Sequence, residues 1–470
     1  MNRKYSAGAS YRKKDSRQVL STDLSRSNPD RTKPIQYKTK LLFVGGLLVL
    51  VLLQFSWKFF LLESPVPPGY HEAAAVLDGN ATATTRTTTI GSCSGYDGVL
   101  HIASGDQEGA AGTIFFLFVV NQLIYADMYN LLPWVHLNNV SKYVYDDKVH
   151  GTGQTAEFEI LCGKTASWAS FTDPITNNQH QFPGMPQGTN LSSCRIYVEG
   201  NGVWNSYFEP VFSPTDPSCA SLPLIRMTYS QIIPSLHVFA PWSVRSWRYG
   251  GLPPSLRQLD KSYQEWFAPM RRRAHSIVKK YFRFLPYLHE RAVEYNPHSQ
   301  CLALHIRHSD KANRRKRIPV PRFLPYVEAY YNHQMQQRRD HPKNDILRSF
   351  SIYLATDSST VIDMIQETWP KEIQSVLQWQ KGNVLRSSNT TAVFQLVGGN
   401  RHHDGNVQVL TDILAMSRCQ YIVHGLSAVS EAVHYLNPLL HNQSVNLDDR
   451  KKDIVSVEQF RIIMDRVTNQ

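Results

Sequence analysis

Hydrophobic positions are unevenly spread along this chain. From Leu41 to Leu62 they form one nearly unbroken run, interrupted only by Gly45, Gly46, Gln54, Ser56 and Lys58. As a helix that run would measure roughly 33 Å, enough to cross a bilayer core. Residues 63–92 are rich in Pro, Ala, Thr and Gly, carry no core pattern, and predict a flexible stem. Gly98–Ala103 then predicts a strand, Ser104–Gly112 a Gly-rich loop, Ile114–Tyr129 an apolar helix and Leu131–Leu137 a second strand. Strand, loop, helix and strand make a βαβ unit. Residues 138–250, dense in Asn, Pro, Ser and aromatics, show few clear periods and predict long loops decorating a sheet. Within them, Asn201–Val211 predicts an aromatic cluster that packs loops onto the core. Residues 255–293 predict helix, with Trp266, Ile277, Val278 and Phe282 on the apolar side and Arg271, Arg272 and Arg273 on a solvated face.

Past Pro297 the periods sharpen. Leu302, Leu304 and Ile306 alternate with smaller or polar residues and end in a charged crest, which predicts a mostly buried strand. A helix over Phe323–Asn332 follows, then a buried strand Ser351–Asp357 and a helix Ser359–Thr368. Val409–Asp412 opens a further helix to about Ser417, Tyr421–Val423 is a strand, and Ser427–Glu431 begins another helix. Strands alternating with helices imply a parallel, doubly wound α/β sheet. The length beyond the stem exceeds a single core, so two α/β domains are expected, 93–296 and 297–470.

Charge follows the apolar run. Residues 1–40 carry eleven Lys and Arg against three Asp, +8 of the formal net +12, and Lys58 adds one, leaving +3 for the rest. The basic balance therefore belongs to the tail and gives no support to a nucleic-acid partner. Positive-inside asymmetry predicts a type II single-span protein: tail 1–40 cytosolic, anchor 41–62, the remainder lumenal. Cys93, Cys162, Cys194, Cys219, Cys301 and Cys419 all lie beyond the anchor, in a compartment that permits disulfides. Cys93, Cys162, Cys194 and Cys219 are expected to pair among themselves, and Cys301 and Cys419, each beside an apolar strand, to be buried thiols. Sequons at Asn80, Asn139, Asn190, Asn389 and Asn442 all fall on the same side.

The chemistry concentrates at Cys301-Leu-Ala-Leu-His-Ile-Arg-His-Ser-Asp-Lys311. His305 and Arg307, two apart, leave the strand on one face. Ligands of open α/β sheets bind beyond the carboxyl ends of strands, and a guanidinium fixed there suits a diphosphate. This segment resembles the His-x-Arg-x-x-Asp-Lys motif of the fucosyltransferase superfamily, which includes α1,6-fucosyltransferases and protein O-fucosyltransferases. A strand ending in Ala355-Thr-Asp357, an Asp412-bearing helix and a loop with Ser427 follow in the order of that family. The resemblance implies a GT-B-like fold, two Rossmann-like domains facing a cleft, and GDP-fucose as donor. It also implies Arg307 on the β-phosphate, His305 and Asp310 beside the donor, Asp357 nearby, Asp412 on the guanine edge and Ser427 at the phosphate.

Three positions depart from the α1,6 type. His308 stands where a second Arg is usual, Ser358 where a second Asp follows, and Arg315, in the run Arg314–Arg317, where a Glu is expected. The base is then sought in the first βα loop, where Glu108 is similarly placed to a catalytic Glu of one protein O-fucosyltransferase type, with Asp106 as fallback. No Asp-x-Asp occurs, so no metal cofactor is expected. The resemblance, taken with the expected anchor, thus implies a Golgi, membrane-anchored, inverting fucosyltransferase acting on a glycan or glycoprotein. A protein O-fucosyltransferase type, or an inactive glycan-binding protein on the same fold, is the alternative.

Overall fold

Cys301 and Ala303 point to one side of their strand and Leu302, Leu304 and Ile306 to the other, and both sets are buried. Such a strand must lie in a sheet covered on both faces, where near-continuous apolar runs replace alternation. The computed structural model bears this out. It describes residues 93, 95–103, 119–136, 155–162, 168–172, 179–183, 192–199, 204–211, 222, 224–226, 263–309, 317–341, 349–389, 391, 393, 402–448 and 454–468. The expected tail, anchor and stem lie outside these. The described residues belong to the compact unit Thr82–Gln470. Among them no helix is long and apolar enough to cross a membrane.

The first sheet joins β1 (Gly98–Ala103), β2 (Leu131–His136), β3 (Thr155–Cys162), β6 (Ser192–Glu199) and β7 (Leu224–Arg226) in the order β2-β1-β7-β3-β6. Helix α1 (Val119–Met128) connects β1 to its parallel neighbour β2, the expected βαβ unit. β4 (Trp168–Thr172) and β5 (Gln179–Pro183) form a separate antiparallel pair. Residues 138–250 therefore hold strands, where long loops were expected. β3 and β6 pair antiparallel over their full eight residues, with Glu157 opposite Tyr197 and Glu159 opposite Arg195. Acidic residues read singly argue against a strand, and the strand that β3 pairs with lies beyond β4 and β5 in the sequence.

Helices α2 (Tyr263–Tyr281) and α3 (Pro286–Tyr295) follow, broken where Leu285 is extended ahead of Pro286. Then come β8 (Cys301–Ile306), α4 (Leu324–Asp340), β9 (Ser351–Thr356), α5 (Ser359–Thr368), α6 (Lys371–Ser375) and β10 (Leu377–Gln378). α7 (His402–Ser417), β11 (Tyr421–His424), α8 (Ala428–Leu436), β12 (Ser444–Asn446) and α9 (Val457–Thr468) complete the chain. All pairings in this second sheet are parallel, in the order β10-β9-β8-β11-β12. One face packs α4, α5, α6 and α9; the other packs α7, α8, α2 and α3. Trp204, Tyr207 and Phe208 are fully buried in the second of these clusters, as the aromatic reading of 201–211 required.

Two expectations are corrected. Cys301 and Cys419 form a disulfide, because Cys301 opens β8 and Cys419 lies just ahead of its parallel neighbour β11, with Cα atoms 4.6 Å apart. The fully buried Asn296 donates its amide to both sulfurs and to the Ala415 carbonyl. Cys93 is also disulfide-bonded. Arg271 is not on a solvated face. Its Nε and Nη2 donate to the two carboxylate oxygens of Glu431 at 2.8 and 2.7 Å, joining α2 to α8 inside the core. A buried guanidinium is tolerated only with such a bidentate partner, and that partner lies 160 residues away.

Candidate functional site

Taken in chain order, the strands of the second sheet run 3-2-1-4-5, so the order reverses between β8 and β11. Chains leaving these two strands diverge and leave a crevice, the place where doubly wound sheets hold ligands. A small, partly open cleft, with a cavity volume of about 10 Å³, lies there. From β8 it is lined by His305, Arg307 and His308, and from the end of β11 by Gly425, Leu426 and Ser427, with Ile318 and Phe323 as an apolar wall. The fold thus brings together three residues expected at the site: His305, Arg307 and Ser427.

His305 is buried, flanked in register by Ala355 and His424. Arg307 has left the strand and its side chain is 33% exposed, with Nε 3.8 Å from Oδ2 of Asp357. Asp357 does more than balance that charge. Its Oδ1 accepts the backbone N–H groups of His308 and Ser309, and its Oδ2 accepts the Ser309 hydroxyl. The carboxylate at the end of β9 is thereby occupied in shaping the loop that carries Arg307. His308, where a second Arg is usual, donates Nε2–H to the Ile318 carbonyl at 2.7 Å. Arg317, last of the basic run, donates to the Ser309 carbonyl. Both hold the crest's conformation.

Ser427 is the N-cap of α8: extended backbone, 2% exposed, with Oγ accepting from Val429 N–H. The next residues open a helix of nine with its positive end toward the pocket. Leu426 N–H is fixed by Asp448 at 2.7 Å, a partner no sequence motif announced. Replacing Ser427 by alanine is expected to cost about 1 kcal/mol, read by denaturant unfolding, since the cap is the side chain's resolved bond.

Asp412 lies in the interior of α7, not at its start, because the helix runs from His402. It is half-buried, and Oδ1 accepts from Tyr353 Oη at 2.7 Å and Gln380 Nε2 at 2.6 Å. Burial raises its pKa from 3.8 to about 6, against the lowering effects of Gln380, Tyr353 and Arg386. Tyr353, Gln380 and Arg386 were not foreseen: Tyr353 looks like an ordinary strand residue, and the other two follow β10 in irregular chain. Asp310, Glu108, Asp106, Arg314 and Arg315 lie outside the described residues.

No protein-family model matches the sequence, and no curated protein matches it. The chain is similar to solved fucosyltransferases. One is NodZ from Bradyrhizobium, at TM-score 0.33 and 11% identity over 75% of this chain and 96% of that one. Another is NodZ α1,6-fucosyltransferase soaked with GDP-fucose, at TM-score 0.32 and 12% identity over 73% and 93%. A third is POFUT1 in complex with GDP, at TM-score 0.28 and 12% identity over 74% and 98%. With TM-scores this low, the chemistry rests on the residues themselves.

Proposed function

We propose that this chain is a glycosyltransferase that moves fucose from GDP-fucose to a hydroxyl of a glycan or glycoprotein, with inversion and without a metal. The observation that carries the reading is the switch-point pocket, where Arg307 and the N-terminus of α8 converge beside His305. A diphosphate leaving group needs fixed positive charge where its own charge develops, and a guanidinium opposite a helix N-terminus supplies it. Asp357 acts as a positioning residue, since it shapes the crest that presents Arg307. Asp412 takes the donor's base. Glu108 is our candidate for the acceptor's base, with Asp106 behind it and Asp310 beside the donor. The apolar run at 41–62 and the basic tail support a type II anchor in the Golgi membrane.

The test is release of GDP from GDP-fucose by the full chain with glycan and glycopeptide acceptors, before and after EDTA. Because the sequence offers no Asp-x-Asp, activity is expected to survive chelation; a loss restored by Mn²⁺ would reject the metal-free mechanism. GDP, and not UDP, is expected to raise the melting temperature. Protection by GDP with no transfer to any acceptor would favour a binding protein on the same fold.

A further inference from the structure

Arg386 belongs to no motif in the sequence, yet the fold builds a site around it. The chain after β10 returns to the carboxyl end of β9, where Ser387 N–H donates to the Asp357 carbonyl and Ser359 N–H to that of Ser387. Arg386 therefore stands beside the rim that carries Asp357 and Arg307. Helix α7 fixes its neighbours. Gln408 bonds both the N–H and the carbonyl of Leu385, and Gln380, 1% exposed, donates to the Gln408 carbonyl and to Asp412 Oδ1.

Within this frame two opposite charges face each other without touching. Asp412 is near enough to offset part of the cost of burying Arg386, but among the described residues no ion pair joins them. Asp412 Oδ1 takes both of that carboxylate's bonds, and Oδ2 takes neither. Arg386 donates through Nη2 to the Gln380 carbonyl, whereas its buried Nε finds no acceptor, nor does the buried Oε1 of Gln380 find a donor. Both charged side chains keep part of their surface in solvent. The pattern is an acceptor next to a donor, on rigid supports.

We infer that Arg386 reads the base of the donor: its guanidinium donates to the 6-oxo oxygen of a guanine whose N1–H and 2-amino group donate to Asp412. This deepens the GDP reading and rests on it. A purine edge presenting donor, donor, acceptor in sequence matches carboxylate and guanidinium side by side, while adenine offers an acceptor at N1 to the carboxylate and a donor at position 6 to the guanidinium. Tyr353 and Gln380 position the carboxylate by holding Oδ1.

The test is binding of GDP, 6-thio-GDP and ADP to the full chain by calorimetry, for the wild type, Arg386→Met and Arg386→Lys. Sulfur is a weak acceptor, so the wild type is expected to bind 6-thio-GDP roughly five- to tenfold less tightly than GDP, and ADP far less. In Arg386→Met, GDP should weaken roughly tenfold or more and the penalty for sulfur should vanish, which a purely structural role would not produce. Should that variant fail to fold, Arg386→Lys answers the same question: it keeps the charge, loses the planar fork, and should show a reduced sulfur penalty. An unchanged penalty in a folded variant overturns the role of Arg386 and leaves the GDP reading standing. A wild type that ignores GDP overturns both.

Discussion

Arg307→Ala is expected to lower transfer about a hundredfold or more, with the melting temperature nearly unchanged. The loss of one fixed donor to a developing anion costs roughly 3–4 kcal/mol in comparable sites. Here the donor is a guanidinium at the switch point, one-third exposed and poised over a partly open cleft. The fold should survive because Asp357 grips the crest through the His308 and Ser309 backbone, independently of the Arg307 side chain. Strand β8 also stays locked between β9 and β11. Arg307→Lys should recover only part of the rate, since an ammonium is a point charge without paired N–H geometry. Single-turnover kinetics with saturating donor, alongside thermal unfolding, separates the cases. Near-normal turnover would remove Arg307 from the chemistry, and equal loss of folding would reduce it to a strand-end ion pair with Asp357.

The C-terminal half of this fold was legible in the sequence because its signals are local. Buried strands, the helix that opens at Ser427 and the helix Ser359–Thr368 each show within a few residues, and each stands in the structure. Helices α4 and α7 extend well past the stretches their patterns marked, since packing on a covered sheet overrides weak periodicity. Residues 138–250 were illegible for the opposite reason. β3 and β6 are defined by each other across the intervening pair β4 and β5. Distance hid the polar core as well: Arg271 is balanced by Glu431, and Cys301 by Cys419, across more than a hundred residues. At the site, the motif announced Arg307 and His305, but not the residues that aim Asp412. Tyr353, Gln380 and Arg386 carry no local mark of their task, because an irregular return to the β9 rim brings the last two into place.

Asp412→Asn should separate binding from stability, in opposite directions. The carboxylate's pKa is raised from 3.8 to about 6, chiefly by burial. A folded-state pKa above the unfolded value means that folding favours the protonated form. The penalty of carrying the charge is absent below pH 4, grows between 4 and 6, and is complete above 6. Asparagine abolishes it while still accepting from Tyr353 and Gln380. The variant should therefore be more stable at neutral pH, by roughly 1–2 kcal/mol after allowance for partial exposure and for the charge lost beside Arg386, and the gain should fade toward pH 4. GDP binding moves the other way. The new amide group presents N–H against the base's own N–H groups, so two charge-assisted bonds become a clash, and affinity should fall roughly a hundredfold or more. In the wild type, GDP affinity should likewise decline as pH drops through about 6, where the carboxylate gains a proton and ceases to be a pure acceptor. Denaturant unfolding and calorimetry across pH 4–8 would test both arms. A variant that binds GDP normally would take Asp412 out of base recognition, and one that loses stability at pH 7.5 would make it a structural link between α7 and β9.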